Sequence, residues 1–148
     1  MLIIGCGNRY RGDDAAGIMV AEKLRIGGVR AQTCSGGSAD LIEAWTGAED
    51  VIVVDAVVSG APVGNVQMWD SWQTTAPTIR TTSTHGLGLA EAIDLARNLN
   101  RLPGRLRIYG IEGRQFAAGE EISPKVNSAI DEVVRIITDA IAQSAILS

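Results

Sequence analysis

The chain has 148 residues, 46% of them hydrophobic, which is enough apolar material for the core of one compact domain spanning 1–148. Its net charge is −4 and its 13 Lys and Arg residues form no cluster, which excludes the electrostatic footprint of a nucleic-acid binder. Seventeen glycines against only 4% aromatic residues suit an α/β protein with tight strand-to-helix turns and an aliphatic core.

Met1 to Cys6 reads as a first strand. No basic leader precedes it, and the apolar run is too short for a signal segment or a membrane span, so no membrane association is expected. An amphipathic pattern over 13–26 predicts the first helix, stopped by Gly27-Gly28, and Val29 to Cys34 predicts the second strand of a βαβ unit. A second helix is expected over 39–45. Residues Asp50 to Val58 form a nearly continuous apolar run, the signature of a central parallel strand buried on both faces, and it carries one conspicuous acid, Asp55. Ser59 to Gly64 reads as a turn into Asn65 to Trp69, too short for a parallel crossover, so the fourth strand is expected to be antiparallel and at an edge.

From Asp70 to Gly86 the chain is polar and Thr-rich, a length that is functional or mobile in a compact domain, and it contains the single histidine, His85. A helix follows over 87–98, then a strand from Leu106 to Ile111. Ser123 as N-cap and Pro124 at the first helical position open the last helix, with Val126, Ile130, Val133, Val134, Ile137 and Ile141 as its buried stripe. This order predicts a doubly wound sheet, in which ligands sit beyond the carboxyl ends of the strands where the strand order reverses. With the order 2-1-3, Asp13-Asp14 after the first strand and Asp55 on the third converge on that crevice.

Gly5-Cys6-Gly7 after an opening strand invites a dinucleotide-binding reading, but Tyr10 replaces the third glycine of that motif. Asp13-Asp14 moreover place negative charge at a helix N-terminus, where phosphate is repelled and a cation is invited. Helix capping accounts for one acid, assigned to Asp13. Asp55 either accepts backbone N–H groups at a strand-to-loop turn or meets a cation, and the residue alone favours neither. Two carboxylates and a neutral imidazole would balance the charge of a divalent cation and leave coordination positions open. Zinc-protease and serine-hydrolase signatures are absent. Cys6 and Cys34, without CxxC spacing, read as free thiols in a reduced, cytoplasmic setting.

Three blocks, Gly5-Cys6-Gly7-Asn8 with Asp13-Asp14 and Gly17, Val53-Val54-Asp55-Ala56-Val57-Val58-Ser59-Gly60, and His85-Gly86-Leu87-Gly88-Leu89, occur in the order of the hydrogenase maturation endopeptidases, which the chain resembles. Weaker similarity continues through Ser35-Gly36-Gly37-Ser38, Tyr109-Gly110-Ile111-Glu112 and Ile122-Ser123-Pro124-Lys125-Val126. The resemblance implies an α/β fold with a doubly wound, mostly parallel five-stranded twisted sheet, one antiparallel edge strand and helices on both faces. It implies an endopeptidase that removes a short C-terminal extension from the nickel-loaded precursor of a nickel-iron hydrogenase large subunit. The family's catalytic and metal-contacting residues map to Asp14, Asp55 and His85, with nickel supplied by the substrate or another divalent metal taking the same place. Asp14 is preferred to Asp13 by this alignment alone. Thr84 stands where some members carry Pro. The alternative is a metal-dependent binding module that recognises a nickel-containing precursor without cutting it, since the same side chains serve either role.

Overall fold

The protein is described by a computed structural model covering residues 1–35, 37–72 and 89–147, the Leu147 side chain excepted. Its elements are β1 (Leu2–Cys6), a 3-10 turn (Gly12–Ala15), α1 (Ala16–Ile26), β2 (Ala31–Cys34), α2 (Ser38–Trp45), β3 (Asp50–Val57), β4 (Val66–Asp70), α3 (Leu89–Asn98), β5 (Arg105–Glu112) and α4 (Pro124–Leu147). The strands form a five-stranded sheet in the order β2-β1-β3-β5-β4. All neighbours pair in parallel except β4, which lies antiparallel to β5 at the edge, as the short connection after β3 requires.

The unbroken apolar run at 50–58 is explained by its place in the middle. Strand β3 is flanked by β1 and β5, and helices cover both of its faces. Alternate residues go to opposite layers: Val51, Val53 and Val57 pack with Leu41, Trp45, Ile93 and Leu106, while Ile52, Val54 and Ala56 pack with Val20, Leu24, Ile130 and Val133. Helices α2 and α3 therefore form one layer and α1 and α4 the other. In the predicted stripe of α4, Val126, Ile130, Val133 and Ile137 are fully buried, whereas Val134 and Ile141 lie half-buried on its flanks.

The first helix departs from its amphipathic pattern. Residues 12–15 form a tighter 3-10 turn, and the α-helix starts only at Ala16. Asp13 N donates to the Gln115 carbonyl at 2.7 Å, drawing the turn toward the loop after β5. Two arginines of β5 are paired with acids of neighbouring strands: Arg107 Nη2 with Asp50 at 3.2 Å, and Arg105 Nη2 with Asp70 at 2.8 Å. Among the described residues no helix is long and apolar enough to cross a membrane.

Candidate active site

Strands β1 and β3 are the pair at which the strand order reverses, and their carboxyl ends carry the two acids. Gly7, at φ +140°, turns the chain out of β1 in a conformation that side chains rarely adopt, and a Cβ there would collide with the Asp14 carbonyl. Asn8 N donates to that carbonyl at 3.2 Å and Asp14 N to the Arg11 carbonyl at 3.0 Å, which folds the loop back and brings Asp14 over the strand ends. Gly17 then lets α1 rest directly on the sheet, because its Cα faces the carbonyl oxygens of Cys6 and Val54.

Asp14 and Asp55 are 6% and 4% exposed, so both carboxyls are withdrawn from bulk water. Asp55 accepts a hydrogen bond from Ala56 N at 2.8 Å. Burial first, and the nearby Asp14 carboxylate second, push the Asp55 carboxyl well above the ordinary carboxylate range, outweighing that single bond. The structure thus brings together two of the three residues singled out from sequence. The third, His85, lies outside the described residues, as does Gly36 of the weaker motif. Among the described residues, no group of three or more His, Cys, Asp and Glu is arranged to hold a metal ion. Two buried carboxyls, near enough for Asp14 to disfavour the ionised form of Asp55, thus meet where the strand order reverses.

Asp13 does not cap the helix, contrary to expectation: neither the 3-10 turn nor α1 has a side-chain cap. Its carboxylate instead accepts Arg114 N at 2.8 Å, Gln115 N at 2.9 Å, Ser123 N at 2.7 Å and Ser123 Oγ at 2.8 Å. Burial raises its pKa, but these four donors together hold it below the ordinary value. The residue clasps the loop after β5 and the start of α4 to the turn bearing Asp14. Ser123 accordingly spends its hydroxyl on Asp13, while its carbonyl starts the helical ladder by accepting Asn127 N at 3.0 Å.

Two further features of the same sheet face escaped the sequence. Cys34, Cys6 and Asp55 stand in one row across β2, β1 and β3, since Cys6 pairs with Cys34 and follows the Gly5–Val54 pair. The thiol–thiol hydrogen bond with Cys34, burial, and the charges of Asp55 and Asp14 all push the Cys6 thiol up, so it keeps its proton. Beyond Asp55, buried Glu112 sits opposite Val57 at the end of β5 and accepts Ser59 N at 3.0 Å together with the Ser59 hydroxyl. Gln67 Nε2 on β4 donates to Ser59 Oγ at 3.0 Å. These bonds pin the turn after β3 to the ends of β5 and β4. Only the cross-strand register, which no sequence spacing encodes, joins these residues.

A sequence profile of the hydrogenase maturation protease family matches residues 35–140. The chain is 24% identical over 153 aligned residues to the Hydrogenase 2 maturation protease of Escherichia coli (strain K12), covering 99% of this chain and 93% of that one. The fold is similar to that of the hydrogenase maturating endopeptidase HybD from E. coli, with a TM-score of 0.76 at 22% identity over 97% of this chain and 92% of that chain. It is equally similar to the [NiFe] hydrogenase maturation protease HybD from Thermococcus kodakarensis, with a TM-score of 0.75 at 22% identity over 94% and 97% of the two chains.

Proposed function

Because this chain belongs to the hydrogenase maturation protease family, and is an endopeptidase that processes the precursor of a hydrogenase large subunit, we propose that its substrate is the nickel-loaded precursor and that Asp14, Asp55 and His85 form the site that meets it. The observation that carries this reading is the convergence of two buried carboxyls at the strand-order reversal, with Asp55 raised by burial and by Asp14. Burial and the Asp14 charge together disfavour the ionised form of Asp55. A divalent cation delivered by the substrate would relieve the repulsion, and a precursor without metal would leave it in place, so the site distinguishes loaded from unloaded substrate.

In this reading Asp14 and Asp55 ligate the precursor's nickel and His85 supplies a neutral donor. The ligated metal can polarise the scissile carbonyl or activate a water. The chain's own part is positional. Gly7 and Gly17 bring the Asp14 turn against the strand ends, Asp13 fixes that turn from behind, and Glu112 pins the turn after β3 through Ser59.

The test is to mix the protein with nickel-loaded precursor and follow loss of a C-terminal peptide by mass spectrometry. Loaded precursor is shortened and nickel-free precursor stays intact, while Asp14→Asn, Asp55→Asn and His85→Ala leave loaded precursor uncut. Cleavage by any of these variants at the wild-type rate would sink the site assignment. Binding of loaded precursor without any loss of mass would replace the protease with the binding module.

A further inference from the structure

Cys6 and Cys34 are distant in sequence and direct partners in the parallel register of β1 and β2. Paired residues on neighbouring parallel strands send their side chains to the same face, and both cysteines pack with the α2/α3 layer. The register therefore sets the two side chains next to each other across the β1–β2 boundary. Neighbouring strands lie about 4.8 Å apart, within the roughly 4.4–6.8 Å that a disulfide bridges between Cα atoms. In-register parallel strands hold the Cβ atoms at about the same spacing, wider than the roughly 3.5–4.5 Å that a relaxed disulfide prefers. A bond made here would be strained and readily reduced. Access is unequal: Cys6 is fully buried, whereas Cys34, at the end of an edge strand, is half-buried and within reach of a small oxidant.

We propose that Cys6 and Cys34 are a reversible modification site in the floor of the crevice, converted to a disulfide by hydrogen peroxide and reopened by small thiols. Cys34 sulfur attacks a peroxide oxygen, the O–O bond breaks, and the departing hydroxide takes the Cys34 thiol proton as water, leaving a sulfenic acid on Cys34. Cys6 sulfur then attacks Cys34 sulfur, forming the S–S bond as the S–O bond breaks, and the Cys6 proton goes out with the leaving hydroxide as water. Two thiols are oxidised, the peroxide is reduced to two waters, and no other reactant is consumed. Thiol–disulfide exchange reverses the change.

The functional consequence rests on the reading of this crevice as the processing site. Closing the S–S bond draws the end of β2 toward β1 and takes Cys6 sulfur away from its present place beside Asp55. A shift of that kind in the site floor slows processing on the order of tenfold, given that a misplacement of ~1 Å can cost about a hundredfold.

The experiment exposes the protein to hydrogen peroxide, removes the oxidant, and counts thiols by alkylation and intact mass. The expected product has lost two hydrogens and both alkylatable thiols, and dithiothreitol restores both. In Cys6→Ser, Cys34 proceeds to sulfinic acid, and in Cys34→Ser the buried Cys6 stays reduced. Wild-type Cys34 ending as sulfinic acid beside a free Cys6, or both thiols surviving a treatment that oxidises free cysteine, overturns the proposal. Processing of nickel-loaded precursor is then measured on wild type and on Cys34→Ser, each before and after peroxide, with peroxide-dependent slowing expected only in wild type and reversed by dithiothreitol. A disulfide that forms without slowing processing overturns its place in the processing floor. Absence of processing in every sample, with the disulfide present, counts against the processing reading alone.

Discussion

Asp13 and Asp55 are the same residue type, both buried near one crevice, and their surroundings push them in opposite directions. Asp13 meets four donors, so its ionised form is favoured; Asp55 has one among the described residues, and Asp14 opposes its charge. With its folded pKa raised, Asp55 costs no stability at pH below its unfolded value and an increasing amount as pH rises from there toward its folded value. Asp55→Asn is therefore expected to be more stable than wild type by about 1–2 kcal/mol at pH 7, with the gap closing toward pH 4, while processing is lost. Urea denaturation at the two pH values measures this. With its folded pKa lowered, Asp13 contributes stability that is present above its unfolded value and lost as pH falls through the folded one. Asp13→Ala leaves several buried N–H groups without an acceptor and is expected to cost about 3 kcal/mol at pH 7, less in acid, by the same assay.

At the scale of elements, the position of Asp14 depends on how closely α1 approaches β1 and β3. Gly17 permits that approach, since a Cβ there would enter the carbonyl oxygens of both strands, and these are backbone atoms that cannot rotate away. Gly17→Ala is expected to lose about 3 kcal/mol, at the upper end for overpacking, and to slow processing in the fraction that still folds because the Asp14 turn is lifted from Asp55. Thermal unfolding together with the precursor assay separates the two effects. The clasp between Asp13 and Ser123 works in the same direction from the other side, tying the first helical segment to the start of the last.

For the whole molecule, the strand order places β3 and β5 inside the sheet and β2 and β4 at its edges. Inner strands buried under both helix layers open only with the whole structure, whereas an edge strand has one set of backbone bonds to lose. Native-state hydrogen exchange is expected to be slowest at Val51–Val54 and Leu106–Ile111, and faster at Ala31–Cys34 and Val66–Asp70. Exchange from β2 as slow as from β3 would contradict this ranking. Oxidation of the thiol pair would slow exchange at the end of β2 while leaving β4 unchanged.

The strands and α-helices and their order, though not the 3-10 turn before α1, were legible in the chain because each rests on local periodicity: the two-sided apolar run of β3, the stripe of α4, and the short link that forces β4 to turn back. Placement of Asp14 and Asp55 on one crevice followed from strand order, which the βαβ pattern suggested and the register bears out. His85 falls outside the described residues, and its place in the site rests on resemblance to the family. What only the tertiary structure decided are the contacts between segments far apart in sequence: Asp13 bound to residues 114–123 instead of capping its own helix, Cys6 against Cys34, and Glu112 against Ser59. Periodicity reports which face of an element is buried. It cannot report which residue of another element stands opposite, because that depends on register and on the angle at which a turn leaves its strand.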